Sequence, residues 1–120
     1  MRYLCLIYSD EAQWESMPEA EINAVMGEYF AFTDAITKSG HYVAGDALKP
    51  TTAATSVRVR NGKLSTTDGP FAETKEQLGG YYLIDVPDLD EAIKWAAKMP
   101  NADRGSIEIR PVMDFSQQQG

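Results

Sequence analysis

Two short segments of this chain, Arg2 to Tyr8 and Gly79 to Val86, are apolar at odd and even positions alike. Successive side chains of a strand point to opposite faces, so a sheet built on these segments needs cover on both. Tyr3, Cys5 and Ile7 stand against Leu4, Leu6 and Tyr8, and Tyr81 and Leu83 stand against Tyr82, Ile84 and Val86. An antiparallel sheet with one face in water alternates more cleanly. Two helical patterns accompany these strands. Ile22, Val25, Met26, Tyr29, Phe32 and Ile36 recur at helical spacing, as do Leu89, Ala92, Ile93 and Ala96. With strands at 41–48 and Ser106 to Val112, the order is βαββαβ plus an inserted hairpin, a ferredoxin-like α+β pattern. Two helices cover one face of that sheet. The other calls for a partner, most simply an identical chain, and a homodimer with its sheets face to face encloses a cavity.

Local signals set the boundaries. Ser16 and Glu19 have capping-box spacing with Pro18 in the first turn, and Gly40 stops the helix that follows. Ser56 to Arg60 and Lys63 to Thr67 flank Asn61-Gly62, a strong hairpin signal because both residues tolerate positive φ. Val57 and Val59 alternate there with Arg58 and Arg60, which gives the hairpin one wet face. Residues 68–78 read as an irregular connection. Asp88 and Glu91 form a second capping box, and Pro100 ends its helix. Residues 1–114 form one domain, with a frayed tail expected over 115–120.

Composition narrows the function. At 120 residues and net charge −7, from 11 basic and 18 acidic residues, the chain is one domain with a surface that repels phosphate backbones. Nucleic-acid binding is not expected. The apolar run from Tyr3 to Tyr8 is far short of the roughly 18 residues a membrane span needs, and no signal-peptide pattern follows it. No membrane association and a cytoplasmic location are therefore expected. A single cysteine excludes an internal disulfide, and a single histidine excludes the His- and Cys-rich zinc motifs. Phosphate-binding, dinucleotide and nucleophile-elbow motifs are absent. No cofactor and no metal site are expected, beyond weak holding of a hard cation by clustered carboxylates.

The most unusual stretch runs from Thr66 to Glu76, with Asp68, Glu73, Glu76 and Lys75 around a Gly69-Pro70 turn and Phe71. In an architectural reading Asp68 fixes the turn and Phe71 pins the loop to the core. The functional reading makes Glu73 or Glu76 a general base, with Lys75 tuning it or holding an anionic substrate. Asp46, between Ala44 and Ala47, points to solvent, to a cavity, or to a donor such as Arg58 or Lys49. Tyr81 and Tyr82 follow Gly79-Gly80, and one of them faces the dimer cavity, where its phenol can bond a ligand or Asp46. The catalytic candidates are thus Glu73, Lys75 and Asp46. The ligand-binding candidates are Asp68, Phe71, Glu76, Tyr81 and Tyr82. His41 at the helix exit and Cys5 in mid-strand read first as structural residues.

Several segments together resemble the YCII-related family, in its DGPF-domain branch named for the tetrapeptide Asp68-Gly69-Pro70-Phe71. They are Met1 to Leu4, Ser56 to Arg60, Thr67 to Gln77, Leu78 to Tyr82 and Glu108 to Val112, within a resemblance that spans residues 1–114. The resemblance implies a ferredoxin-like protomer in a dimeric α+β barrel. It also implies a bacterial setting beside extracytoplasmic-function sigma factors, and for the wider group small enzymes with a helical His and a strand Asp. Here Asp46 is the candidate for the strand Asp, but the first helix offers Tyr29 and no His, so the pair is incomplete. Two functions follow as expectations. One is a small-molecule binder or small enzyme with a pocket in the dimeric barrel, bordered by the 68–76 loop, Asp46 and a tyrosine. The other is a non-catalytic regulatory module acting with a sigma factor or another protein.

Overall fold

The computed structural model describes residues 1–115; the tail expected to fray lies, from residue 116 on, outside the described residues. Strand β1 (Arg2–Ser9) leads into a short helix α1 (Glu11–Glu15) and the long helix α2 (Glu19–Lys38). Strand β2 (Tyr42–Ala47), the hairpin β3 (Thr55–Arg60) and β4 (Lys63–Asp68), and β5 (Gln77–Asp85) follow. Helix α3 (Leu89–Ala97) and strand β6 (Ser106–Pro111) complete the chain, with single 3-10 turns at Thr51–Ala53 and Pro100–Asp103. The main sheet has the order β2-β5-β1-β6, every pairing antiparallel, and β3-β4 is a separate two-stranded ribbon. This is the ferredoxin-like α+β arrangement, with the hairpin set apart from its sheet.

The register sorts the two apolar faces. Cys5 sits opposite Tyr82 and Ile109, and Tyr3 opposite Ile84, on the face that packs against Phe32 and Ile36 of α2, Ala92 of α3 and Met99 just beyond it. Leu4 opposes Leu83, and Leu6 opposes Tyr81, on the other face. No helix residue of the core cluster reaches that outer face, and its side chains are only half-buried.

Helix α1 is an addition to the expected order, and the Asp10 side chain caps it by accepting from the Ala12 N–H at 2.9 Å. Two local readings need correction. Ser16 closes α1 rather than capping α2, whose N-cap is Pro18 with no side-chain bond, so no capping box forms there. Helix α3 is capped as expected by Asp88, which accepts from the Glu91 N–H at 2.9 Å. Its buried stripe, however, is Ala92 and Ala96, with Leu89 and Ile93 half-exposed. The helix lies close on the sheet through its alanines, which turns the two larger side chains outward.

The hairpin departs furthest from a packed domain. Asn61 and Gly62 both have positive φ, as its turn requires. Val59 pairs with Leu64, so Val57, Val59 and Leu64 share one face, yet Leu64 is 69% exposed and the two valines nearly as much. The arm accordingly carries an apolar face that the described residues leave exposed. The Cα radius of gyration, 16.8 Å, exceeds the roughly 14 Å of a compact chain this long.

Candidate functional site

At the β2 end of the sheet, strands β2 and β5 approach unusually closely. A Cβ on Gly80 would meet the Asp46 carbonyl oxygen at 2.9 Å, and one on Gly45 would meet the Tyr82 ring at 3.0 Å. Glycine at both positions leaves room for a cleft of about 380 Å³ between this edge, helix α2 and helix α1. That volume lies within the usual range of ligand pockets. Its walls are largely apolar, with Trp14, Met26, Phe30, Tyr42, Leu48 and Pro50 among them.

Polar groups enter the cleft from four elements. Tyr82 points to the helix side, where its hydroxyl and that of Thr33 are 2.7 Å apart and its ring meets Phe32 edge-on. Burial raises the Tyr82 pKa, while the Thr33 bond opposes the shift. The Tyr29 hydroxyl and the Asn101 side-chain oxygen are buried without a hydrogen-bond partner among the described residues. Burial pushes the Tyr29 phenol well above its ordinary range, and the neighbouring Tyr82 adds to the shift. The Asn101 backbone pulls the other way, without the geometry of a hydrogen bond. Glu11 closes one wall as a latch: its carboxylate accepts from the Thr51 N–H at 2.8 Å and the Thr51 hydroxyl at 2.7 Å. Its own N–H donates to the Gln77 side chain at 2.9 Å, which ties α1 to β5.

Asp46 and Tyr81 also belong to the lining, but register places their side chains on the outer face of the sheet. The Tyr81 hydroxyl donates to Asp46 Oδ2 at 2.7 Å, so the donor for Asp46 is neither Arg58 nor Lys49. That bond, followed by the charge of Asp46, raises the Tyr81 pKa. The two adjacent tyrosines therefore serve opposite faces of one strand.

The remaining sequence candidates lie elsewhere. Asp68, Phe71, Glu73, Lys75 and Glu76 are not part of this cleft. The turn is held from the base of its own hairpin: the Gly69 N–H donates to the Ala54 carbonyl at 2.7 Å, and the Ser56 hydroxyl donates to the Gly69 carbonyl at 2.8 Å. Gly69 has φ of 111°, a conformation that other residues rarely adopt. Phe71 is 82% exposed and does not pin the loop to the core. Glu76 accepts from the Ser106 hydroxyl, and Glu73 and Lys75 are exposed. Among the described residues no group of three or more His, Cys, Asp or Glu side chains comes together, the loop carboxylates included. The His41 Nδ1–H donates to the Asp85 carbonyl at 2.9 Å, a structural bond at the helix exit. Cys5 is fully buried, which pushes its thiol up to about 11 and leaves it unreactive.

Sequence reasoning passed over Tyr29 as a core position and did not single out Thr33 or Asn101. Tyr29 carried one available signal, a phenol within an otherwise aliphatic and phenylalanine stripe. Asn101 had none, because only the turn after α3 brings it to the floor of the cleft.

Three comparisons bear on this geometry. A family profile described as the YCII-related domain matches residues 1–116. An uncharacterised protein of Rhizobium meliloti (strain 1021) is 41% identical over 114 residues, covering 93% of this chain and 92% of that one. The structure of 5-chloro-2-hydroxyhydroquinone dehydrochlorinase from Burkholderia phenoliruptrix AC1100, in complex with 2,5-dihydroxybenzoquinone, superposes with a TM-score of 0.56. That likeness covers 98% of both chains at 9% identity and is a likeness of fold. No helix among the described residues is long and apolar enough to cross a membrane.

Proposed function

The chain belongs to the YCII-related family, and we propose that it binds a small, largely apolar ring molecule in the cleft between α2 and the β2–β5 edge. The observation that carries this reading is the cleft itself: apolar walls around a few convergent polar groups, two of them buried and unpaired. Fold-level likeness gives context only, in that a protein of the same architecture holds a ring compound. Asp46, bonded by the Tyr81 hydroxyl at 2.7 Å, borders this cleft from the outer face of the sheet and is the carboxylate candidate in this reading. Glu11 is occupied by Thr51. Nothing in the geometry or the comparisons supports the sigma-factor alternative.

The working unit in this proposal is a homodimer. The outer sheet face, with Leu4, Leu6, Tyr81 and Leu83, and the apolar face of the arm both lack cover in one chain. Charge favours a second copy as that cover. Residues 55–67 carry three of the 11 basic residues and no acidic one, so the body they would meet holds all 18 acidic residues.

Both parts are testable. A ligand at about 100 times its dissociation constant stabilises by roughly 2.7 kcal/mol, a rise of several degrees in melting temperature. A screen of metabolites and small aromatic compounds should yield such a rise in the wild type and none in Ala47→Trp, whose indole fills the cleft from β2. A hit that survives Ala47→Trp refutes the cleft. Leu6→Glu should turn a dimeric mass in solution into a folded monomer; a wild-type monomer at all concentrations refutes the dimer.

A further inference from the structure

The floor of the cleft holds the least explained feature of the molecule. Tyr29 Oη, from α2, and Asn101 Oδ1, from the turn after α3, are both buried and find no partner among the described residues, and Asn101 is only 5% exposed. Native proteins pair nearly all such groups, so two orphans from separate elements in the lining of one cleft mark a place where something else supplies the bond. We infer that Tyr29 and Asn101 form a polar floor that takes a neutral hydroxyl on the ligand's ring, a phenol or an enol. This rests on the cleft reading above and specifies its ligand class.

The chemistry of the two atoms selects that group. A hydroxyl donates one hydrogen bond and accepts others, so it can donate to the Asn101 carbonyl oxygen while accepting from the Tyr29 O–H. It also suits the amide if its two ends are exchanged, since it can accept from the NH2 group as well. A bare ring leaves both groups unpaired, and a methoxy group cannot donate. A carboxylate can only accept, and it would enter a cleft already lined by Glu11, Glu15 and Asp46. An ammonium group can only donate, so it leaves the Tyr29 O–H without an acceptor, and its charge is desolvated at the floor. The raised pKa of Tyr29 keeps its own hydroxyl protonated and able to donate. The apolar walls around Trp14, Met26 and Phe30 then accept the ring.

The test is a titration of four probes that share a ring (phenol, anisole, toluene and benzoate) followed by NMR on wild type, Tyr29→Phe, Asn101→Leu and Ala47→Trp. Wild type should bind phenol at least about tenfold more tightly than toluene or anisole, and benzoate most weakly. Tyr29→Phe and Asn101→Leu should each collapse the ratio of phenol to toluene affinity toward one. Toluene binding that Ala47→Trp abolishes, with no preference for phenol, overturns the polar floor and leaves the cleft standing. A preference unchanged in both floor variants does the same. Failure of every probe, or binding that survives Ala47→Trp, overturns the cleft and the floor together. Melting without ligand gives a second check: Tyr29→Phe should hold or raise the wild-type value, because the lost hydroxyl had no partner. A fall of several degrees would make that hydroxyl structural and refute the inference.

Discussion

Tyr81 and Tyr82 are neighbours in the chain and belong to different worlds. Tyr82 looks toward the helices, shares a hydrogen bond with Thr33, and sits in a cluster that includes Phe32 and Ile84. Tyr81 looks the other way, bonds Asp46, and shares its face with leucines that no helix covers. The faces are similarly apolar in sequence, and only one is finished within a single chain. An apolar pattern thus states that a surface needs cover, whereas the connectivity decides whether the chain or a partner provides it.

The sharpest way to separate the faces is to hollow out each. Ile84→Ala should cost about 2–5 kcal/mol, because its fully buried side chain leaves a cavity under α2 and α3. The loss should be the same at every protein concentration. Leu83→Ala, on the outer face, should cost less, and in the proposed dimer by an amount that depends on concentration. Chemical denaturation at two concentrations reads both, and equal behaviour of the two variants would erase the distinction.

Gly80→Ala comes next. Its Cβ would press on the Asp46 carbonyl, so β2 must move, at a cost of about 1–3 kcal/mol. The Tyr81–Asp46 bond and the cleft should both loosen, seen as a lower melting temperature together with weaker ligand binding. Normal binding in this variant would mean that the close approach of β2 and β5 does not shape the site.

The tyrosines themselves should differ by pH. Tyr82→Phe removes a half-buried bond to Thr33 and should cost about 1 kcal/mol near neutrality. Tyr81→Phe should instead alter the alkaline side. Asp46 raises the Tyr81 pKa in the folded state, so the bond's contribution is complete below the ordinary tyrosine value of about 10. It is lost as pH climbs through the raised folded value. Melting curves across that alkaline range should therefore fall less steeply in Tyr81→Phe than in wild type. Asp46→Asn should bring tyrosinate absorbance in at lower pH.

The smallest effects belong to the segment that looked richest in chemistry. Glu73→Gln and Phe71→Ala touch exposed side chains and should stay within about 0.5 kcal/mol of wild type when measured on the monomeric Leu6→Glu background. A large loss there would show contacts beyond those described.

Much of the fold was legible because local and global signals agree. The two-faced strands, Asn61-Gly62 and the Asp88 cap each specify a piece of backbone from nearby residues alone. The apolar arm was half legible: the alternation of Val57 and Val59 with Arg58 and Arg60 gave its two faces, but not that the apolar one stays open within the chain. The cleft was harder to read for a physical reason. Tyr29, Thr33, Gly45, Gly80 and Asn101 are separated by up to seventy-two positions and converge only through the sheet order β2-β5-β1-β6. A dense motif such as residues 68–76 draws notice in one dimension, yet most of its side chains are exposed and its turn is held through the backbone of Gly69.

The most direct test of this account is a backbone amide chemical-shift map of the wild-type protein titrated with phenol. The expected perturbations gather on Tyr29 to Thr33, Gly45 to Leu48, Gly79 to Tyr82 and Asn101, with residues 68–76 unmoved. Shifts concentrated on Asp68 to Glu76, with the cleft amides silent, would contradict it.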